Sequence, residues 1–250
     1  MKFHSLLLLV LMIGCASPNA NPPQPGAVTS GKVSWSATKK GELQYLQYVP
    51  KDYDADPERQ WPILLFLHGA GERGTNVQRV AVHGPLKLVN EGRHFPFIII
   101  APQCPAGEYW QTEGVLKLLD DASERFRVDR SRVYLAGLSM GGYGTWKFLM
   151  AHPERLAAAV PICGGGERID LLGLKTEEQR TALRNLPVRA YHGARDPVVP
   201  LAESERAVEF LKRYGCTNVT LTVYPEAEHD SWTQTFANPE LYEWLLKQRR

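Results

Sequence analysis

Ser139 stands in Gly137-Leu138-Ser139-Met140-Gly141, after an apolar run and ahead of a stretch with helical character. A serine on a strand-to-helix elbow sits in strained backbone, and flanking glycines let neighbouring elements close in while Oγ stays exposed. The start of the helix adds unpaired N–H groups and a positive dipole end, which favour a developing oxyanion. A second stretch, His68-Gly69-Ala70-Gly71, follows another apolar run. Acyl transfer needs two donors aimed at the carbonyl oxygen as it gains charge. The N–H of Met140, next after the serine, is one candidate, and that of Ala70, freed by glycines on both sides, is the other. His68 reads as a brace of this loop rather than as a base.

Two further groups complete the chemistry. Asp196, in His192-Gly193-Ala194-Arg195-Asp196-Pro197, lies just past a predicted strand and ahead of an amphipathic helix. A carboxylate there could orient an imidazole and stabilise its charged form. His229 follows the last predicted strand in a polar loop, and alone of the seven histidines it comes after both Ser139 and Asp196. Glu226, Glu228 and Asp230 are rival acids. They are so near His229 in the chain that they would struggle to reach the far side of its ring, so Asp196 is preferred. No CxxC pair or Cys/His cluster has zinc spacing, and no metal site is expected.

These residues need a frame. Strand-like runs fall at 43–49, 63–67, 97–101, 132–136, 156–162, 188–192 and 219–224, and the continuous apolar ones, 63–67 and 97–101, suit strands covered on both faces, hence a parallel sheet. Helical spacing recurs at Val115, Leu118, Leu119, Ala122 and Phe126, and at Ala207, Val208, Leu211 and Tyr214. A last helix is capped by Asn238, opens on Pro239 and presents Leu241, Trp244 and Leu245 on one face. Strands alternating with helices predict a doubly wound α/β fold, a mostly parallel sheet with helices on both faces. In such sheets function gathers at the carboxyl ends of the strands, where the four motifs fall. The interval 163–186 has room for a loop and one helix but not for a large lid. An open site follows, able to meet polymer-borne groups. Tyr109, Trp110 and Trp232 fall in strand-end loops where they could line it, or pack as ordinary core and rim.

The 250 residues suit one sizeable domain, with 44% hydrophobic and 22% charged residues. Basic and acidic residues, 29 against 27, nearly balance, and nothing builds the positive field of a nucleic-acid binder. The N-terminus reads as a targeting segment: Lys2, then an apolar stretch over 6–13 too short to span a bilayer. Met12-Ile13-Gly14-Cys15 resembles a bacterial lipobox, with Met12 in place of the usual leucine. The expected organisation is a lipoprotein-type signal over 1–15 ending at a lipidated Cys15, a proline-rich tether over 16–31, and a catalytic domain over 32–250. The lipobox implies a bacterial cell envelope. The absence of aspartate at position 16 resembles outer-membrane sorting, and cleavage near Ala16 or Ala20 is the alternative. Cys104, Cys163 and Cys216 remain, an odd number that leaves at least one free thiol or an intermolecular bridge, with the pairing open.

Over residues 40–250 the sequence resembles the α/β-hydrolase superfamily, whose chain order is Ser…Asp…His. HGAGERG, GLSMGGYGTW, HGARDPVVP and EHDSWTQTFANPELYEWLL resemble its esterase-like group of predicted peptidases and phospholipase/carboxylesterases. That group is related to feruloyl and acetyl-xylan esterases and polyhydroxyalkanoate depolymerases. The resemblance implies Ser139 as nucleophile, Asp196 as acid, His229 as base and Ala70 and Met140 as oxyanion donors, with no cofactor. It implies hydrolysis of carboxylic esters, short-chain, aromatic or polysaccharide-linked. A serine peptidase, or a non-catalytic surface-binding lipoprotein on the same fold, are the other readings.

Overall fold

In Trp61–Leu67 every side chain is buried, and neighbours along the strand face opposite ways. Ile63, Leu65 and Leu67 enter one apolar cluster, and Leu64 and Phe66 the other. A strand that must be apolar on both faces belongs at the centre of a sheet, and this one does. The computed structural model describes residues 24–36 and 40–250. They form an eight-stranded sheet in the order β1-β2-β4-β3-β5-β6-β7-β8. The strands are β1 (Val28–Ser36), β2 (Lys40–Tyr48), β3 (Trp61–Leu67), β4 (Ile98–Pro102), β5 (Val128–Leu138), β6 (Ala158–Ile162), β7 (Val188–Gly193) and β8 (Val219–Tyr224). β3 to β8 run parallel, while β1 and β2 pair antiparallel at one edge.

The helices are α1 (Gly84–Asn90), α2 (Thr112–Arg125), α3 (Met140–Ala151), α4 (Glu177–Asn185), α5 (Leu201–Tyr214), α6 (Trp232–Ala237) and α7 (Pro239–Lys247). α2, α3, α4 and α5 send Leu118, Trp146, Leu183 and Leu211 into the cluster on one face. α1, α6 and α7 send Leu86, Phe236 and Leu245 into the cluster on the other. This is the doubly wound arrangement expected from the alternation of periods. Between β6 and β7 stand only a 3-10 turn, Arg168–Gly173, and α4, so among the described residues this interval forms no large lid.

One boundary differs from expectation. β1 begins at Val28 and pairs with β2 from Val28↔Tyr48 onward. The sheet thus takes in Val28 to Gly31, assigned above to the tether, and ordered pairing starts ahead of Lys32. The signal over 1–15, Cys15 included, and the head of the tether lie outside the described residues. Among the described residues no helix is long and apolar enough to cross a membrane.

Candidate active site

The nucleophile elbow is built from backbone that side chains would obstruct. Ser139, between β5 and α3, has φ 52 and ψ −118. It and Cys163, with φ 41, are the two non-glycine residues with positive φ among those described. Such a conformation costs on the order of 1–3 kcal/mol and must be held by its surroundings. The surroundings are close: a Cβ at Gly141 would lie 1.9 Å from Leu67 O, and one at Gly137 would lie 2.2 Å from Gly141 O. Nothing larger than glycine lets α3 sit this near the end of β3. The Ser139 N–H donates to Ile162 O at 2.9 Å and to Cys163 Sγ at 3.3 Å, fixing the elbow to the end of β6.

Three groups from three strand ends meet there. Ser139 Oγ donates to His229 Nε2 at 2.9 Å, and His229 Nδ1–H donates to Asp196 Oδ2 at 2.7 Å. The loops carrying acid and imidazole are stitched together by Ala194 N–H to Tyr224 O and Arg195 N–H to Ala227 O. The Asp196 side chain has no exposed surface, and the His229 side chain is 20% exposed. Burial alone would raise the Asp196 carboxyl. Hydrogen bonds from His229 and from the Val199 and Val198 N–H groups outweigh it, and the carboxyl is held below its usual range. Among the described residues Asp196 alone forms an ion pair with His229; of the rival acids, Glu226 pairs instead with Arg195.

The Met140 N–H opens α3 and the Ala70 N–H opens the 3-10 turn Ala70–Glu72. Neither has an acceptor among the described residues. Both residues line a cavity of about 510 Å³ with Tyr109, Trp110, Tyr143 and Ile169. Tyr109 and Trp110, expected in strand-end loops, stand on this flank. Tyr109 is 69% exposed at the rim, and Trp110 is buried with Nε1–H donating to His68 O. Trp232 lies on the opposite flank, its ring edge-on to His229 at 5.2 Å and against His83 at 5.4 Å. Arg73 was not foreseen. It ties the Ala70 loop to the Tyr109 loop by donating to Ala70 O and Glu108 O, each at 3.1 Å. A second cavity of about 330 Å³ lies on the other side of Tyr109 and Trp110, against Trp35, Leu43 and Glu113.

Ligating atoms of Cys163, Asp196 and His229 lie within 4.8 Å of one another, a spacing that could hold a metal ion. The donor set does not suit one. Both imidazole nitrogens are engaged in the Ser139–His229–Asp196 chain. Burial pushes the Cys163 thiol up to about 12, so it stays protonated at neutral pH. Cys104, Cys163 and Cys216 are all free and buried.

His68 is a brace, as the sequence implied. Cys104 N–H donates to Nε2 at 2.9 Å, so Nδ1 carries the proton and donates to Gly69 O at 2.6 Å. Burial pushes this imidazole down to about 4, more than the bond to Gly69 raises it. The unfolded chain takes up that proton near pH 6.5 and the folded one only near 4. The stabilisation is therefore intact above 6.5 and is lost as pH falls from 6.5 towards 4, at about 1.4 kcal/mol per pH unit. Urea unfolding at pH 7 and 4.5 is expected to show a loss on the order of 2–3 kcal/mol in the parent protein that His68→Gln lacks. Equal acid sensitivity of the two proteins would place the loss elsewhere.

A family model described as phospholipase/carboxylesterase matches residues 108–242, more than half of the chain, and spans Ser139, Asp196 and His229. The chain belongs to the phospholipase/carboxylesterase family. With it comes membership of the esterase-like α/β-hydrolases. Among related sequences is a bifunctional acetylxylan esterase/xylanase of Neocallimastix patriciarum, 29% identical over 73% of this chain and 26% of the relative. A poly(3-hydroxyalkanoate) depolymerase C of Paucimonas lemoignei is 26% identical over 54% of this chain and 34% of the relative. This chain thus spans about a quarter to a third of those proteins. Among solved structures a thermostable esterase matches with a TM-score of 0.70 and 32% identity, over 88% of this chain and 63% of that one. A ferulic acid esterase, 19% identical with a TM-score of 0.63, shares the fold.

Proposed function

We propose that this phospholipase/carboxylesterase family member is a serine carboxylic-ester hydrolase working through an acyl-enzyme. The observation that carries the reading is the unbroken chain Ser139 Oγ–His229 Nε2 and His229 Nδ1–Asp196 Oδ2, set beside two N–H groups without acceptors among the described residues. His229 takes the Ser139 proton as Oγ attacks the ester carbonyl. The oxyanion is received by the Ala70 and Met140 N–H groups, worth about 10²–10³-fold for each donor. The imidazolium, stabilised by Asp196, returns the proton to the departing alcohol. A water deprotonated by the same imidazole then attacks the acyl-enzyme, Oγ recovers its proton and the acid leaves.

The acyl group fits the 510 Å³ cavity, whose Tyr109, Trp110, Tyr143 and Ile169 suit a short or aromatic acyl chain. The unlidded edge leaves room for an ester borne on a polymer. The names of the relatives, an acetylxylan esterase and a polyester depolymerase, favour such carriers. We assign the chain by its N-terminal motif to the bacterial cell envelope, lipid-anchored through Cys15. Radioactive palmitate is expected to label the parent protein and not Cys15→Ala; no incorporation means a protein without that anchor.

The test of the activity is a panel of p-nitrophenyl acetate and butyrate, methyl ferulate, acetylated xylan and peptide amides. Esters are expected to be turned over and amides to lag by orders of magnitude. Faster amide than ester cleavage would make it a peptidase. No turnover of any member would leave a binding protein on a hydrolase fold.

A further inference from the structure

Asp196 is held by more than the groups the reaction uses. Its Oδ1 accepts from Val198 N–H at 2.8 Å and Val199 N–H at 2.9 Å, so the loop after β7 wraps one oxygen. Its Oδ2, the oxygen that meets His229, also lies 3.3 Å from Nε2 of His192. His192 is wholly buried. The same Nε2 is 2.9 Å from Val199 O. Both neighbours of Nε2 are acceptors, so this nitrogen carries a proton and donates it into the acid loop. On the other side of the ring, Nδ1 lies 2.7 Å from Ser204 Oγ on α5, and the same Oγ lies 2.7 Å from Gly164 O, so its one proton serves one of these two acceptors at a time.

Gly164 follows Cys163, whose Sγ accepts from the N–H of the nucleophile. The contacts therefore close a ring through the protein. One half is the working chain Ser139–His229–Asp196. The other half runs from Asp196 through His192, Ser204 and Gly164 to Cys163 and back to Ser139. Its last links are narrow: a Cβ at Gly164 would lie 2.7 Å from Gly142 C on α3. A buried polar bridge of this kind fixes geometry, because a shift leaves polar groups unpaired where water cannot reach them.

We infer that His192 is the positioning residue of the acid. Its imidazole spans Asp196 and Ser204, setting the distance between the loop that carries the carboxylate and the elbow that carries the serine. The inference rests on the reading of Asp196 as the triad acid. His192 touches no substrate. It acts by keeping Oδ2 turned towards His229, so that a loss shows in kcat and leaves KM in place.

The experiment compares His192→Leu, His192→Gln and Ser204→Ala with the parent full-length protein. It reads kcat and KM on p-nitrophenyl acetate, melting temperature, and the low-field proton resonance of the His229 Nδ1–H. For His192→Leu, kcat is expected to fall roughly 10- to 100-fold, as for a displaced catalytic group. KM should stay within about twofold and the low-field resonance should move or vanish. Glutamine can return an N–H near the Nε2 position, and His192→Gln is expected to recover most of kcat and the resonance. The inference is overturned if His192→Leu keeps kcat within about twofold of the parent. It is equally overturned if melting falls while the resonance stays put, which marks a residue that only supports the fold. Should His192→Leu not fold, Ser204→Ala decides: a moved resonance with lowered kcat sustains the bridge, and no change in either refutes it. A parent protein inert towards esters would sink the proposed activity, yet the resonance would still report on His192.

Discussion

Ser139→Ala is expected to lower ester kcat by about 10⁴-fold or more while the protein folds as before. The magnitude follows from the division of labour. Without Oγ there is no acyl-enzyme, and what remains is the cavity and two N–H donors acting on direct attack by water. The fold should survive because the substitution changes little else. The backbone strain at φ 52 is the same for any residue with a Cβ, and the flanking contacts of Gly137 and Gly141 are untouched. Among the described residues Oγ bonds only to His229 Nε2, a side chain that is partly exposed, so its removal leaves an imidazole nitrogen that water can satisfy. A melting temperature within a few degrees of the parent is expected, matching a change of about 1 kcal/mol or less. The check is steady-state turnover of p-nitrophenyl acetate with circular dichroism on the same samples. Residual activity above about one part in a hundred would remove Ser139 from the role of nucleophile.

The central strands could be read from the sequence because burial on both faces leaves no polar positions to confuse the pattern, as in β3 and β4. β1 could not. Thr29, Ser30, Lys32 and Ser34 break its apolar content, and an edge strand is covered by one neighbour only. Its Gly31 looks like a turn residue, but it is a place where a Cβ would meet the Tyr45 hydroxyl at 2.4 Å and the ring just behind it. α6 escaped because it spans Trp232–Ala237, less than two turns, too short for a helical period to show. Ser139, Asp196 and His229 were legible because each follows a strand and chain order assigns them. The groups that support them were not: His192 closes the last turn of a buried strand and reads as part of it, and Cys163 reads as one more apolar residue. Arg73, Lys147 and Ile169 reach one cleft from three separate segments, and only the folded backbone brings those together.

The conservative change Asp196→Asn should be nearly as damaging as removal of the nucleophile, and the hydrogen bonds around the carboxylate say why. Oδ1 is surrounded by two backbone donors, Val198 N–H and Val199 N–H. An asparagine at this place must turn its carbonyl oxygen to them, which puts its NH₂ where Oδ2 was. There the amide faces Nδ1 of His229, so far a donor, and Nε2 of His192, also a donor. Two donors cannot share one hydrogen bond. His229 escapes by moving its proton to Nε2, and that nitrogen then presents a hydrogen to Ser139 Oγ in place of the lone pair that must accept one. The imidazolium formed during attack also loses the carboxylate that stabilises it. Together these effects are expected to lower kcat by about 10⁴-fold, with KM little changed because no group in the cleft has moved. Asp196→Ala, which removes the carboxylate without supplying a wrong donor, is expected to retain more activity than Asp196→Asn. Steady-state kinetics of the two variants on the same ester decides the matter. If asparagine keeps more than about a tenth of the parent kcat, the imidazole does not depend on this carboxylate for its tautomer, and Asp196 is a structural residue of the loop after β7.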